Sequence, residues 1–336
     1  MNGDSENLNN YETTERYGNN RMWCCNKVIS GKKFYQAIIS FILFSFPFFL
    51  ALTIMVKINQ KIIIAPIIVN SILYLITIFF TCRGAFTDPG ILTRQNKHFY
   101  YSTKRPILRQ VINGHLITLN YCYTCSLFRP PRTSHCAICD NCTLRFDHHC
   151  LWLGTCIGRR NYKHFYFLVL FLNISALFHI GYSIYFIIFQ TNSLQNNLDL
   201  LVYIGMGIVI VFDLMFIVFF IGKLFGLHTK LVSNNLTFYE HIKKKWNKPP
   251  GVNPFNKGTW QSWKRLIFKF VPKNYLFDIF EVHQSNINSE EVQQSIYEYT
   301  DQHLKAESSK EQEIISLTGA KMTQILRRDS QNNSSN

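Results

Sequence analysis

The sequence predicts an all-α membrane protein with four transmembrane helices and a cytosolic cysteine-rich double-zinc domain between helices 2 and 3. Three observations predict it. Hydrophobic residues make up 47% of the 336-residue chain and gather in four blocks, near 36–56, 62–82, 165–189 and 200–222. Each block approaches or exceeds the roughly 20 apolar residues that span a bilayer. Seven of the ten cysteines, with three histidines, fall within residues 122–156. Lys and Arg are spread unevenly: five in 1–35, twelve in 83–164 and fifteen from His228 onward, against two in the 57–61 turn and none in 190–199. The positive-inside rule then places both termini and the 83–164 loop in the cytosol.

The expected divisions follow. Residues 1–35 form a cytosolic N-terminal segment, 36–82 hold helices 1 and 2, and 83–164 hold a linker and the cysteine-rich domain. Residues 165–227 hold helices 3 and 4, 228–284 hold C-terminal motifs with an amphipathic helix, and 285–336 are a mobile tail. Pro47 sits inside the first block, where a membrane helix tolerates it if neighbours satisfy the freed backbone. The first 34 residues are polar, which predicts no cleavable signal. The formal charge of +15 follows from topology and attraction to anionic lipid. With its basic residues facing a lipid bilayer, the chain has no nucleic acid as partner.

Local signals fill in the rest. Cys24-Cys25, about ten residues before the first span, are juxtamembrane candidates for S-acylation. Asp88-Pro89-Gly90 after the second span is a turn signal. Val111 to Leu119 reads as a β-hairpin around Asn113-Gly114. No helical period runs through 122–156, so that stretch is expected to be held mainly by metal. Asn173, Ser175 and His179 lie within the third block as expected packing or hydrogen-bonding residues. Asp213 in the fourth is a costly intramembrane carboxylate whose candidate partner is His179 or a hydroxyl. Trp260, Trp263, Leu266, Ile267, Phe270 and Val271 recur at helical spacing with Lys264, Arg265 and Lys269 between them, the pattern of an interfacial helix. A short helix is expected near 309–327, and Arg327-Arg328-Asp329-Ser330 is a weak match to a basophilic kinase site.

The chemistry concentrates in Cys122-x2-Cys125-x9-His135-Cys136-x2-Cys139-x2-Cys142-x4-Asp147-His148-His149-Cys150-x5-Cys156. A reducing cytosol argues against disulfides and for metal. Structural zinc takes four Cys or His ligands in a tetrahedron. Two such sites use eight of the ten candidates and leave one cysteine and one histidine over, a nucleophile and a base. The arithmetic alone does not say which two are spare.

From about Tyr17 to Phe270 the chain resembles the DHHC protein S-acyltransferases (palmitoyltransferases). The resemblance is carried by Arg129-Pro130-Pro131-Arg132-Thr133-Ser134-His135-Cys136, by Arg145-Phe146-Asp147-His148-His149-Cys150 and by Cys156-Ile157-Gly158-Arg159-Arg160-Asn161-Tyr162. The pattern is most similar to the branch that includes the yeast Ras palmitoyltransferase and the plant enzymes. The resemblance implies that Cys122, Cys125, His135 and Cys142 hold one zinc, and that Cys136, Cys139, His149 and Cys156 hold the other. It leaves Asp147, His148 and Cys150 as the catalytic set, and a tight turn is expected to bring these three together. It further implies palmitoyl-CoA, or another acyl-CoA, as co-substrate, with Arg129 and Ser134 near the CoA head. Cys150 would take the acyl group and pass it to cysteines of membrane-associated proteins. The implied partners also include the lipid bilayer and, in that branch, a small accessory protein. The implied location is the endoplasmic reticulum, Golgi or plasma membrane. Asp88-Pro89-Gly90, Thr237 with Glu240, and Asn253 to Gly258 match further family motifs. Leu151, Thr155 and Phe238 depart from the usual proline, asparagine and second threonine. The competing expectation is a membrane-anchored zinc module that binds partners without catalysis, which leaves Cys150 and His148 without a role.

Overall fold

The computed structural model describes residues 17–23, 28–58, 64–94, 107–113, 115–189, 197–246 and 251–268. Cys24, Cys25, the segment 285–336, the expected helix near 309–327 and the Arg327–Ser330 motif lie outside them. The chain divides into one unit of Met1–Val271 and another of Pro272–Asn336, and every described residue lies in the first.

Among the described residues, four helical spans are long and apolar enough to cross a membrane. They are α1 (Tyr35–Ile58), α2 (Ile64–Phe86), α3 (Tyr162–Phe189), and a fourth made of α4 (Asn197–Phe216), a π-helical turn (Ile217–Ile221) and α5 (Gly222–Ser233). α3 packs along α2 and α4, and α1 packs against α2 and α4. The fourth span runs to Ser233, well past the apolar block that ends near 222. A π turn at Ile217–Ile221 joins its two parts. A Cβ on Gly222 would sit 2.5 Å from the Ile217 carbonyl, and the Ile221 carbonyl accepts from Asn173 Nδ2 at 3.2 Å. Such single turns satisfy a displaced carbonyl by another group.

The carboxylate expected to be costly has its partner. His179 Nδ1 lies 2.9 Å from Asp213 Oδ2, and His179 Nε2 lies 2.9 Å from Asn70 Oδ1. All three residues are buried, and they tie α2, α3 and α4 together. They border a small cavity, about 30 Å³, shared with Leu43, Phe48 and Phe216.

Between α2 and α3 the chain forms short antiparallel strands. They are β3 (Ile91–Leu92), β4 (Ile107–Ile112), β5 (His115–Cys122), β6 (Leu127–Phe128), β7 (Ser134–Cys136), β8 (Asn141–Thr143), β9 (His148–Cys150) and β10 (Thr155–Ile157), preceded at the N-terminus by β1 (Arg21–Trp23) and β2 (Val28–Ser30). They pair as β1-β2, β4-β5-β6, β3-β8-β7 and β9-β10. The expected hairpin is present: Ile112 faces His115, and Asn113 adopts φ 49°, as a tight two-residue turn requires.

These strands are fastened to the helices by buried polar groups. Asn161, fully buried, donates to the carbonyls of Gly84 at 3.1 Å and Cys156 at 2.9 Å and accepts from Gly158 N at 2.9 Å. The Asp88 carboxylate caps Gly90 N at 2.7 Å and Ile91 N at 3.0 Å and pairs with Arg160. Gly158 leaves no room for a side chain: a Cβ there would meet the Pro89 carbonyl at 2.6 Å. The N-terminal segment joins through Asn19 N, which donates to the Cys139 carbonyl at 2.8 Å.

Candidate active site

Two clusters, each built from two neighbouring hairpins, gather three thiols around an imidazole. His135 Nδ1 lies 3.6, 3.4 and 3.9 Å from the sulfurs of Cys122, Cys125 and Cys142. His149 Nδ1 lies 3.7, 3.3 and 3.7 Å from those of Cys136, Cys139 and Cys156. Within each group all four donor atoms lie within 4.8 Å of one another. Zinc bonded to sulfur at about 2.3 Å and to nitrogen at about 2.0–2.1 Å in a tetrahedron sets a sulfur–nitrogen edge of about 3.6 Å. The two clusters match that edge, and both are compatible with zinc. The cysteines are free rather than bridged. Hydrogen bonds from Cys122 and Cys125 push the Cys142 thiol up, and those from Cys136 and Cys139 do the same to Cys156, with burial adding to both. Three buried thiolates need a cation to coexist, and a coordinated metal deprotonates its thiols.

The second cluster and the tetrapeptide share one strand. β9 pairs with β10 so that His149 faces Cys156, His148 faces Ile157 and Cys150 faces Thr155. Side chains alternate along a strand. His149 therefore turns to the thiols of its cluster, while His148 and Cys150 share the opposite face. No tight turn is needed to bring His148 and Cys150 together; the pleat does it. Asp147, one residue before the strand, has its N–H bonded to the Ile157 carbonyl at 2.9 Å.

On that second face Asp147 Oδ2 lies 2.8 Å from His148 Nδ1, and Asp147 Oδ1 accepts from Phe238 N at 2.8 Å. Asp147 is 1% exposed. Burial alone would raise its carboxyl, but the hydrogen bond and charge of His148, with smaller help from His228 and the Phe238 N–H, hold it below the usual carboxylate range. Burial works against the charged form of His148, yet its hydrogen bonds to Asp147 and to the Cys150 thiol prevail and push it up to about 10. An imidazolium held beside a thiol favours the thiolate. Cys150 is buried in a core with Leu153, Phe165, Leu168, Val169 and Ala37, which belongs in part to α1 and α3. Cys150 thus shares one apolar core with residues of the membrane helices.

The C-terminal motifs buttress this face. α6 (Phe238–Ile242) begins with a capping box: Thr237 Oγ1 accepts from Glu240 N at 3.1 Å, and Glu240 Oε2 accepts from Thr237 N at 2.9 Å. Glu240 also takes a two-pronged bond from Arg132, Nε to Oε1 at 3.0 Å and Nη2 to Oε2 at 2.6 Å. Asn235 accepts from Arg132 Nη1 and Arg145 Nη2, both at 3.1 Å. Asn253 donates to the carbonyls of Asn234 and Asn235 at 3.1 and 3.2 Å. Phe238 makes its hydrogen bond to Asp147 through the main chain. α7 (Thr259–Phe268) docks through Trp263, whose Nε1 donates to Ser233 Oγ at 3.1 Å, and leaves Trp260 and Phe268 exposed.

Of the two residues expected at the CoA head, Arg129 is half-buried, and its Nε has no hydrogen-bond partner among the described residues. Ser134 lies inside β7 opposite Thr143 and is 4% exposed. Sequence reasoning passed over Tyr162, His228 and Asn235. No motif marks His228; only the continuation of the fourth helix beyond its apolar block brings it here.

Fold and site together define a class: a four-helix membrane protein carrying a double Cys3His domain with an Asp–His–Cys set on its membrane side. The family model described as DHHC palmitoyltransferase matches residues 115–245, and this region is a domain of that family. Similar proteins include human palmitoyltransferase ZDHHC18, 38% identical over 215 residues, covering 59% of this chain and 55% of the relative. Zebrafish palmitoyltransferase ZDHHC18-A is 31% identical over 261 residues, covering 73% and 56%. Mouse palmitoyltransferase ZDHHC14 is 33% identical over 265 residues, covering 72% and 54%. The chain thus spans about half the length of these curated relatives.

Proposed function

We propose that the protein is a protein S-acyltransferase that moves a long-chain acyl group from acyl-CoA to Cys150 and then to cysteines of membrane-associated proteins. The observation that carries this is the placement of Cys150: buried against α1 and α3, on the same strand face as a His148 that is bonded to Asp147. A thiol at the edge of a lipid-facing core meets an acyl chain that stays in lipid while its thioester reaches the thiol.

The steps balance as follows. The Cys150 thiolate attacks the acyl carbonyl, a new carbon–sulfur bond forms and the bond to CoA breaks. CoA leaves as a thiolate and takes the proton of the His148 imidazolium. In the second half the substrate cysteine gives its proton to His148 and attacks the Cys150 thioester. Cys150 leaves as the thiolate, again beside an imidazolium. This is ping-pong chemistry with one residue as alternating acid and base. Asp147 holds His148 in one orientation and stabilises its charge.

Cys122, Cys125, His135 and Cys142 would hold one zinc, and Cys136, Cys139, His149 and Cys156 the other. Zinc supplies rigidity here, by fixing the hairpins that carry Asp147, His148 and Cys150. Arg129 and Ser134 are proposed near the CoA head, and of the two Arg129 has the stronger support, since its Nε is unpartnered. Both termini and the zinc domain are proposed to face the cytosol, in agreement with the Lys and Arg distribution.

Incubation of the purified chain with palmitoyl-CoA tests the proposal. The expected result is a hydroxylamine-sensitive adduct that is absent in Cys150→Ala. No adduct on the wild type, or an equal adduct on Cys150→Ala, would favour the non-catalytic zinc module.

A further inference from the structure

A catalytic imidazole needs more than one tether. Asp147 takes Nδ1 of His148 and leaves Nε2 as the nitrogen that can reach Cys150, but a single hydrogen bond still lets the ring tilt. Three rings close around it. Phe165 stands edge-on with its centroid at 5.0 Å and an interplanar angle of 69°. Phe238 stands edge-on at 5.9 Å and 76°. His228 lies at 6.0 Å and 49°.

The third ring is itself locked. His228 is 1% exposed. Its Nδ1 is 3.0 Å from the hydroxyl of Tyr162. Phe165 packs on it edge-on at 4.9 Å, and Phe238 stacks on it at 6.1 Å. Donor atoms of Asp147, His148 and His228 all lie within 4.8 Å of one another. The other charge facing this group is Arg145, whose guanidinium lies 5.8 Å from the centre of the Tyr162 ring and bonds to Asn235.

We propose that His228 is a positioning residue for the acyl-transfer site: held by Tyr162, its ring closes the open side of the cage that keeps His148 aimed at Cys150. This rests on the acyltransferase function proposed above. The residue type follows from its neighbours. An apolar side chain would leave the buried Tyr162 hydroxyl without its imidazole partner, at the cost of an unsatisfied polar group. A lysine would compete with His148 for Asp147. An imidazole fills the space and hydrogen-bonds the phenol, and it can do so without a charge that competes for Asp147. His228 reaches the site from the part of the fourth helix that continues beyond its apolar block.

The test uses full-length protein in detergent, loaded with palmitoyl-CoA, comparing His228→Leu, His228→Asn and His228→Gln. Loading at saturating palmitoyl-CoA should fall about 10- to 100-fold in His228→Leu, the loss expected when a reacting group is misplaced by about 1 Å. KM for palmitoyl-CoA and a zinc content of two per chain should be unchanged. Asparagine puts its amide near the position of Nδ1 and keeps the Tyr162 bond, so His228→Asn should recover most of the rate. Glutamine puts its amide one carbon farther out, so His228→Gln should not. Wild-type loading by His228→Leu, or equal loading by the asparagine and glutamine variants, would overturn the proposal. An effect confined to KM would also overturn it. If His228→Leu fails to hold its zinc, the asparagine and glutamine pair decides. Failure of the wild type to load at all would instead remove the acyltransferase function.

Discussion

His148 and His149 are the same side chain one residue apart, and they meet different worlds. His149 Nδ1 sits 3.3–3.7 Å from three thiol sulfurs. His148 Nδ1 sits 2.8 Å from a buried carboxylate, with its ring among aromatic side chains of α3 and α6. The backbone separates them, because successive residues of β9 point to opposite faces. One strand thus carries a metal ligand on one side and a reactive pair on the other. A metal held there would fix the strand without touching the thiol, since Cys150 belongs to neither cluster.

Substitutions can break this division at several points. The largest effect is expected on the reactive face. Cys150→Ala should abolish the acyl adduct and leave two zinc ions per chain, because Cys150 belongs to neither cluster; adduct measurement and metal analysis on one sample check both halves. Next comes the buttress. Arg132 and Glu240 form a buried pair, with side chains 6% and 2% exposed. Glu240→Gln leaves Arg132 without its counter-charge, which should cost about 3–5 kcal/mol. Thermal unfolding should report that loss, and acyl loading should drop while zinc is retained. The smallest effect is expected at Asp88→Asn. The amide oxygen can still cap Gly90 and Ile91, and only the charge opposite Arg160 is lost. Loss of one charged hydrogen bond costs about 1.5–3 kcal/mol, so loading should fall less than in Glu240→Gln. The reverse order of these two would shift the main fastening from α6 to the end of α2.

Much of this was legible in the chain. Four apolar blocks mark four helices, and Asn113-Gly114 marks the β4–β5 hairpin. The count of Cys and His points to two metal sites whose ligand sets the family resemblance supplies, and of the two candidate partners for Asp213, His179 or a hydroxyl, the structure has His179. Other features were hidden for physical reasons. A three-residue strand such as β9 is too short to show an alternating pattern, so the tight turn expected around Cys150 gave way to a pleat. The continuation of the fourth helix to Ser233 was masked by its polar composition. That stretch passes through the π turn and meets Tyr162 and Tyr166, whose hydroxyls lie 3.0 Å from His228 Nδ1 and 3.1 Å from Thr229 Oγ1. Asn235, which joins Arg132 to Arg145, adopts φ 46° after the helix ends, and nothing in a lone asparagine announces a hub. At Phe238 the hydrogen bond to Asp147 runs through the main chain, a contact that side-chain identity does not announce.

The measurement that bears most directly on the two-faced strand is zinc stoichiometry and acyl transfer on purified His148→Ala and His149→Ala. His149→Ala should lose close to one zinc and destabilise the domain, since structural zinc in small modules contributes roughly 10 kcal/mol or more of folding free energy. His148→Ala should keep both zinc ions and a folded domain, and lose transfer by a factor on the order of 10²–10⁴, the share that a general base supplies. Equal loss of zinc in the two variants, or wild-type transfer in His148→Ala, would contradict the account.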